Sequence, residues 1–230
     1  MPATCRIDTE KYRAVLFDLD GVITDTMGLH YEAYRQAFEK HDIHVTPLEV
    51  YLTEGMPSME VGRAIVKEKG ARIADDQLRV LIEDKREIYR ALAAKDAKTF
   101  PGVPETLRML RENGIRLALI TGSNAKSVAG VIRKVGLDDA FDAVVAGDDT
   151  ARGKPYPDPY RKGMERLGIP PEHCVVVENA PLGIQAAKAA GAGYVIAVTT
   201  TLPEQYLKDA DDVTGSFADI EECLARRPGR

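Results

Sequence analysis

The sequence predicts an α/β protein in which an α-helical domain is inserted into a doubly wound parallel sheet. Two observations support this fold class. Short apolar runs alternate with amphipathic segments along most of the chain, which is typical of a parallel sheet covered by helices on both faces. The alternation stops between about residues 27 and 95, where the apolar patterns have helical periodicity. That stretch predicts a separate helical unit.

The first predicted strand is AVLFD, residues 14–18. Three amphipathic helices are predicted next, at 30–41, 58–70 and 74–95. The chain returns to the alternating pattern at 99–107, where the proline and glycine of "TFPGVPETL" predict a turn. We therefore expect a core formed by residues 1–25 and 96–230, with a helical cap formed by residues 26–95.

Beyond this turn, helices and strands are predicted in alternation. The helical patterns cover 103–114, 125–136, 157–168 and 181–193. A glycine ends or nearly ends each of them, as expected for the last turn of a helix. The remaining strands are predicted at 116–121, 143–147, 174–179 and 194–198. Open parallel sheets bind ligands beyond the carboxyl ends of their strands, so these ends are the places to search for function.

Composition and charge argue against several other classes of protein. The 230 residues carry a net charge of −5 and the basic residues are scattered, so we expect no nucleic-acid partner. No apolar run approaches the ~20 residues of a membrane-spanning helix, and the polar start is unlike a secretory signal or anchor. Cys5, Cys174 and Cys223 form no CxxC pair. We therefore expect neither a zinc site nor a disulfide framework, and we expect a cytoplasmic location.

Polar side chains follow four of the predicted strands. Asp18 and Asp20 follow the first strand, and Thr121 ends the second. Lys154 comes after the third strand in a loop rich in glycine and proline, and the pair Glu178-Asn179 ends the fourth. Each of these groups is able to serve a phosphate or a metal ion.

The acid pair Asp18 and Asp20 indicates phosphoryl chemistry. Two carboxylates ~4 Å apart repel by roughly 4 kcal/mol at an effective dielectric constant near 20, so such a pair needs a cation or a proton. Oxygen ligands favour Mg²⁺, while one carboxylate is able to attack phosphorus and the other to move protons. Gly21 allows the chain to turn sharply, so that the side chains of Asp18 and Asp20 can point at one site. A calcium loop fails because Val22 and Ile23 occupy two of its positions; an Asp-Gly hairpin is the structural alternative.

The other strand ends each have a structural and a functional interpretation. The segment TGSN, residues 121–124, is either a plain helix N-cap or a phosphate cradle of hydroxyl and backbone N–H groups. Lys154 is either a solvated loop lysine or the cation that offsets the charge of phosphoryl transfer. Taken alone, Glu178 and Asn179 are best explained as an acid and a cap for the helix that begins at Pro181.

In this order, the four segments resemble the haloacid dehalogenase-like (HAD) phosphohydrolase superfamily across nearly the whole chain. The shared pattern is DxDG, then Thr or Ser, then Lys, then an acidic pair, with a helical cap inserted after the first motif. Each motif is weak alone, whereas the ordered set is specific. The phrases "FDLDGVITDT", "GKPYPDPY" and "ENAPLGIQAAKAAG" are similar to the β-phosphoglucomutase and phosphatase-like branch. The resemblance implies a Rossmann-like core and Mg²⁺ as cofactor.

The resemblance also implies roles for individual residues. Asp18 would be the nucleophile, Asp20 the general acid and base, and Lys154 the bridge between Asp18 and the phosphate. The phosphoryl group would be held by Thr121, Gly122, Ser123, Asn124 and Lys154. Mg²⁺ would be held by Asp18, the backbone carbonyl of Asp20, Glu178 and Asn179. Many relatives have an aspartate in place of Asn179, so this chain would supply a ligand oxygen without its charge.

Three cap residues are further candidates by resemblance. Glu54, in "TEGMPS", occupies a position from which some relatives with a Glu-Asn pair send a glutamate to the metal. His30 matches a histidine beside the active site of mutase-type relatives. Lys85 matches a position that often contacts substrate. Each also has a plain interpretation as a solvated side chain.

The reaction depends on the cap. β-Phosphoglucomutases place an arginine after the cap-loop glycine, to hold a second phosphate; here residues 55–58 are Gly-Met-Pro-Ser, and Arg63 lies about one helical turn further on. The resemblance therefore favours a phosphatase for a sugar phosphate, phosphoglycolate or pyrophosphate, with a mutase as the alternative. A haloacid dehalogenase is a further alternative, but that branch of the family lacks an acid at the position of Asp20, so the presence of Asp20 argues against it. A non-catalytic sugar-phosphate sensor on the same fold is the remaining alternative. We expect a monomer or weak homodimer.

Overall fold

The computed structural model describes residues 11–225, and its centre is a parallel β-sheet. In that part of the chain the sheet has six strands, in the order β3-β2-β1-β4-β5-β6. All neighbouring strands pair in parallel, so their carboxyl ends lie at one edge. The strands are β1 (Ala14–Phe17), β2 (Arg116–Ile120), β3 (Ala143–Val145), β4 (Cys174–Glu178), β5 (Tyr194–Val198) and β6 (Asp212–Thr214). Cys5 lies outside the described residues.

The described residues also form nine α-helices, of which five lie between β1 and β2, and the first four of those five form the inserted stretch. These four are α1 (Met27–Glu39), α2 (Pro47–Leu52), α3 (Ser58–Glu68) and α4 (Asp75–Asp96). The others are α5 (Val103–Glu112), α6 (Ala125–Lys134), α7 (Asp158–Leu167), α8 (Pro181–Ala190) and α9 (Phe217–Ala225). No described helix combines the length and apolar character needed to cross a membrane.

Both faces of the sheet are buried, as in a doubly wound fold. Val15 and Phe17 belong to one hydrophobic cluster, whereas the alternate residues Ala14 and Leu16 belong to a second. This alternation follows from the two-residue period of a strand. Burying an apolar side chain of this size contributes about 1.5–3 kcal/mol. The predicted α/β class is confirmed.

Helices α1 to α4 share a hydrophobic cluster of their own. Tyr34 and Phe38 of α1 pack in it with Ile65 of α3 and with Leu81 and Ile82 of α4. Long helix α4 lies against α1 and also reaches α6 of the core. The inserted helices therefore form a unit that lies over the carboxyl edge of the sheet, where their side chains meet those of the core.

The periodic pattern misses three elements: α2, β6 and α9. Helix α2 has six residues and β6 has three, so neither is long enough to show a clear apolar period. Helix α9 covers nine residues at the end of the described chain.

Candidate active site

The candidate catalytic residues lie at the carboxyl ends of the three central strands. Asp18 follows β1, Thr121 follows β2, and Glu178 is the last residue of β4. The N–H of Asp18 donates to the carbonyl of Val177 at 3.0 Å, which places Asp18 beside Glu178. The predicted residues of these strand ends are at most 2% exposed: Asp18, Asp20, Thr121, Lys154, Glu178 and Asn179.

Lys154 joins two of these carboxylates. Its Nζ donates to Asp18 Oδ1 at 2.5 Å and to Glu178 Oε1 at 2.6 Å. Tyr160 also donates to Glu178 Oε1, at 2.5 Å. Burial raises the pKa of Asp18 to about 8, an effect that Lys154 opposes and that the charges of Glu178 and Asp20 reinforce. Asp18 therefore needs more positive charge than Lys154 alone provides to be fully ionised near neutral pH.

Asp20 accepts hydrogen bonds from a different set of groups, all of them hydroxyls. Its Oδ1 accepts hydrogen bonds from Thr26 at 2.6 Å and from Tyr89 of α4 at 2.9 Å. Its Oδ2 accepts from Ser123 at 3.1 Å and from Thr121 at 3.5 Å. Residues of the inserted helices and of the core thus hold one carboxylate between them.

His30 of α1 faces the same carboxylate, and Lys85 of α4 contacts His30. His30 Nε2 lies 3.1 Å from Asp20 Oδ1, although it is not aligned for a hydrogen bond. Lys85 Nζ lies 2.9 Å from His30 Nδ1. Because an ammonium only donates, Nδ1 accepts and Nε2 carries the hydrogen that faces Asp20. Burial would raise the pKa of Asp20, but His30 and the hydroxyls of Thr26 and Tyr89 lower it below its usual value.

The pKa values of Lys85 and His30 are both lowered. Burial lowers the pKa of Lys85 to about 8. Burial and the nearby charge of Lys85 lower the pKa of His30, against the attraction of Asp20. The ring of His30 also stacks on that of Tyr89, with 3.8 Å between centroids. Lys85, His30 and Asp20 therefore lie in a row, with a hydrogen bond between Lys85 and His30 and a close contact between His30 and Asp20.

Glu54 lies in the turn between α2 and α3 and is half-buried. It lines a cavity of about 30 Å³ together with His30, Lys85 and Ser123. Burial and the charges of Asp18 and Asp20 raise the pKa of Glu54 well above its usual value. The cavity offers about the volume of one water molecule.

A close contact between two glycines shows how tightly this turn sits on the core. A Cβ on Gly122 would come within 2.8 Å of the carbonyl oxygen of Gly55. The backbones of the inserted turn and of the core loop can approach this closely only because Gly122 has no side chain.

Two predicted residues are placed away from the carboxylates. Asn124 caps α6: its Oδ1 accepts a hydrogen bond from the N–H of Ser127 at 3.0 Å. The plain N-cap interpretation of this residue therefore describes its contact here. Arg63, considered as a substitute for the mutase arginine, pairs with Asp75 at 3.1 Å and has 47% of its side chain exposed. It does not line the cavity.

Four residues of this network were not identified from the sequence. Tyr89 and Thr26 hold Asp20, Tyr160 holds Glu178, and Thr201 accepts a hydrogen bond from Asn179 at 2.9 Å. Tyr89 lies four residues after Lys85 and thus on the same face of α4, a spacing from which it was identifiable.

Two buried oxygens are available for a metal ion. Asp18 Oδ2 and Asn179 Oδ1 are buried and have no hydrogen-bond partner among the described residues. Within residues 11–225, no group of three or more His, Cys, Asp and Glu side chains is arranged as a metal site. Glu178 accepts hydrogen bonds on both oxygens, from Lys154 and Tyr160 on Oε1 and from a backbone N–H on Oε2. A cation here would rely on carboxylate, amide and carbonyl oxygens, which suit Mg²⁺.

The fold and the site together define an α/β enzyme with an inserted helical cap. A family model described as haloacid dehalogenase-like hydrolase matches residues 12–191, and the chain belongs to that family. The match includes the first strand, all four inserted helices and most of the core. The chain is therefore a hydrolase, as predicted.

Individual relatives are similar over most of the chain. "Phosphorylated carbohydrates phosphatase" of Thermotoga maritima is 32% identical over 199 residues, 82% of this chain and 86% of its own length. "Fructose-1-phosphate phosphatase YqaB" of Escherichia coli is 32% identical over 183 residues, 79% of this chain and 94% of its own. The solved structure of β-phosphoglucomutase from Clostridium difficile matches with a TM-score of 0.82 and 27% identity, over 93% and 97% of the two chains. The predicted branch of the family is confirmed.

Proposed function

We propose that the chain is a Mg²⁺-dependent phosphohydrolase that cleaves a small phosphorylated metabolite through an aspartyl-phosphate on Asp18. The proposal rests on the different environments of two neighbouring aspartates. Asp18 is bound on one oxygen by Lys154 and has its other oxygen free. Asp20 is held by hydroxyls and faces His30. The first arrangement suits a nucleophile and the second a group that moves protons.

The reaction would proceed in two displacements at phosphorus. In the first, an oxygen of Asp18 bonds to phosphorus, the bond from phosphorus to the leaving alcohol breaks, and Asp20 gives the alcohol a proton. In the second, Asp20 takes a proton from water as the water oxygen bonds to phosphorus. The bond from phosphorus to Asp18 then breaks, which releases inorganic phosphate and restores the carboxylate.

The remaining residues would bind and orient the reacting groups. Lys154, which donates to Asp18, would offset the charge shared by Asp18 and the phosphoryl group. Thr121 and Ser123, whose hydroxyls donate to Asp20, would donate to phosphoryl oxygens once a substrate is bound. Asp20 recovers from water, in the second displacement, the proton that it gives in the first, and His30, which contacts Lys85, would orient the Asp20 carboxyl group for both steps.

Mg²⁺ fits the oxygen atoms left free in this site. Asp18 Oδ2 and Asn179 Oδ1 would hold it, with the carbonyl of Asp20 as the ligand that the family resemblance adds. When bound, it would supply the positive charge that keeps Asp18 ionised and neutralises the phosphoryl oxygens. The pKa of about 8 for Asp18 supports a need for this charge near neutral pH. Glu178 would act mainly by orienting Lys154.

The charges around the cavity favour a phosphatase over a mutase. A mutase must hold a second, dianionic phosphate in the cap. Among the described residues that line this cavity, Lys85 is the one lysine or arginine, and it is bound to His30. Glu54 adds a carboxyl group and no positive charge, and Arg63 is paired at the surface. A substrate with one phosphate and an uncharged remainder, such as a sugar monophosphate, suits these groups best.

The direct test is phosphate release from a panel of small phosphates in the presence of Mg²⁺. The panel would contain β-glucose 1-phosphate, fructose 1-phosphate, phosphoglycolate and pyrophosphate, and isomerised product would be followed in parallel. We expect free phosphate without isomer, most rapidly from a sugar monophosphate. Conversion of β-glucose 1-phosphate to glucose 6-phosphate would instead establish a mutase. Absence of turnover across the panel would favour a sensor.

Glu54 provides a prediction about the metal. We expect Glu54→Gln to raise the Mg²⁺ concentration for half-maximal activity roughly tenfold, the scale on which loss of a supporting carboxylate weakens metal sites. The reason is that Glu54 lies near Asp18 and Asp20 and would share their cation. The measurement is a Mg²⁺ titration of phosphate release. Glu60→Gln, an exposed change on α3, is the matched control. An unaltered Mg²⁺ requirement in Glu54→Gln would show that this carboxylate does not serve the metal.

A further inference from the structure

We propose that Tyr34 is a positioning residue whose aromatic ring, together with the ring of Tyr89, holds the buried ammonium group of Lys85 in its charged form. The inference deepens the proposed function and rests on it for the role of Lys85 beside the reacting groups. Tyr34 belongs to α1, is buried, and lines the same cavity as Lys85.

The burial of Lys85 needs an explanation that its hydrogen bond does not supply. Lys85 is 3% exposed, although lysine is almost never buried without an ion-pair partner. Among the described residues, its Nζ forms no ion pair, and its hydrogen-bond partner is Nδ1 of His30 at 2.9 Å. Burial and the charge of Arg86 disfavour the ammonium form, which the more distant Asp20 and Glu54 favour. The charge therefore requires a further source of stabilisation.

Two aromatic rings provide this stabilisation. Lys85 Nζ lies over the ring of Tyr34, 4.4 Å from its centroid, and over the ring of Tyr89, 5.1 Å from its centroid. Both distances are within the ~6 Å over which a ring face attracts a cation, and this attraction grows when water is excluded. The two rings thus take the place of a carboxylate partner.

One spacing on two helices brings these groups together. His30 and Tyr34 are four residues apart on α1, and Lys85 and Tyr89 are four residues apart on α4. Residues at this spacing share one face of a helix, and α1 packs along α4. The four side chains therefore form a cluster between the two helices.

The ring of Tyr34 is itself held in place by its neighbours. It packs against Phe38 of the same helix, with 6.0 Å between ring centroids. Both rings belong to the hydrophobic cluster of the inserted helices, together with Ile65 of α3 and Leu81 of α4. Packing among three helices thus keeps the ring over Lys85.

The charge of Lys85 has a consequence for His30. An ammonium group only donates hydrogen bonds, so Nδ1 of His30 must accept. The hydrogen of the imidazole is then on Nε2, which lies 3.1 Å from Asp20 Oδ1. Through Lys85, the ring of Tyr34 therefore supports the orientation of the residue that would move protons.

The test is a double-mutant cycle on the full chain, measured as the equilibrium constant of unfolding in urea. Tyr34→Leu removes the ring, and Lys85→Met removes the charge but keeps a long side chain. A cation–π contact away from water is worth roughly tenfold or more in an equilibrium constant. We therefore expect the stability cost of Tyr34→Leu to be roughly tenfold smaller in the Lys85→Met background.

Two further variants serve as controls for this cycle. Tyr34→Phe keeps the ring, so its stability cost should be the same in both backgrounds. Tyr31→Leu should also cost the same in both, because Tyr31 packs against the same hydrophobic cluster but no cation of the described chain lies over its ring. An equal cost of Tyr34→Leu in the two backgrounds would overturn the inference.

Turnover of the most rapidly hydrolysed member of the phosphate panel tests the consequence for the reaction. We expect Tyr34→Leu to lower kcat/KM roughly tenfold, Tyr34→Phe to keep most of it, and Tyr34→Leu to cost little more once Lys85 is replaced by methionine. Equal losses in Tyr34→Phe and Tyr34→Leu would contradict a role for the ring. A wild-type chain that hydrolyses no phosphate would overturn the proposed function, and the unfolding measurements would still decide whether Tyr34 stabilises Lys85.

Discussion

Asparagine in place of Asp18 is expected to abolish turnover, with a loss on the order of 10⁴–10⁶-fold, because an amide cannot form the acyl-phosphate bond. The measurement is phosphate release from the best substrate of the panel, together with acid-quenched detection of the phosphorylated chain. Wild-type protein should yield a phosphorylated species and Asp18→Asn should yield none. Asp25→Asn is the matched control, since Asp25 belongs to the same motif but pairs with Lys98 at the surface.

The fold of Asp18→Asn should remain intact. The amide has nearly the shape of the carboxylate, and Lys154 keeps Glu178 as a partner at 2.6 Å. Since burial raises the pKa of Asp18 to about 8, its ionised form is disfavoured in the metal-free fold. Between about pH 4 and pH 8 the unfolded chain releases this proton more readily, so this residue makes wild-type stability fall as pH rises.

The variant should lack that part of the pH dependence, and its metal-free Tm near pH 7 should be no lower than that of wild type. Circular dichroism and thermal melts at several pH values check both expectations. Phosphorylation of Asp18→Asn at a rate near that of wild type would remove the nucleophilic role from Asp18.

The sequence was sufficient for the central strands because each is a continuous apolar run, and for the long helices because they are long enough to show a period. The elements it missed are short or depend on caps. Helix α2 begins at Pro47, directly after its N-cap Thr46, and the Glu49 side chain accepts a hydrogen bond from the N–H of Thr46 at 2.6 Å. This capping pattern is visible in "TPLE", whereas six residues are too few for a hydrophobic period. Strand β6 is a three-residue edge strand without an apolar run.

The positions of the strand ends in the sequence predicted where the site would form. They did not predict which hydrogen-bond partners hold its residues in place. Asp18, Glu178 and Lys154 meet because parallel strands end at one edge of the sheet, which follows from topology. The partners of Asp20 depend on how the inserted helices lie over that edge. Tyr89 is 69 residues from Asp20, and only tertiary packing brings them together. Thr201, by contrast, lies in the loop just beyond a predicted strand, so the rule that identified the polar groups after the other strands applied to it as well.

Asp20→Asn is expected to reduce turnover of a sugar phosphate by roughly 10²–10⁴-fold, the usual contribution of general acid and base catalysis. The structure should tolerate the change. The amide oxygen can still accept from Thr26 and Tyr89, and the amide nitrogen can donate to the hydroxyls of Ser123 and Thr121, which reverse their roles. A stable variant with a slow reaction would therefore locate the defect in proton transfer.

A substrate whose leaving group needs no proton separates the two steps that are assigned to Asp20. p-Nitrophenolate departs without protonation, so Asp20→Asn should lose much less of the first displacement with p-nitrophenyl phosphate than with a sugar phosphate. The second displacement still lacks its base, because water must lose a proton to attack the phosphorylated Asp18. We therefore expect a burst of p-nitrophenol equal to the enzyme concentration, followed by slow turnover and accumulation of phosphorylated chain. A uniform loss for both substrates, without a burst, would show that Asp20 supports the site in another way.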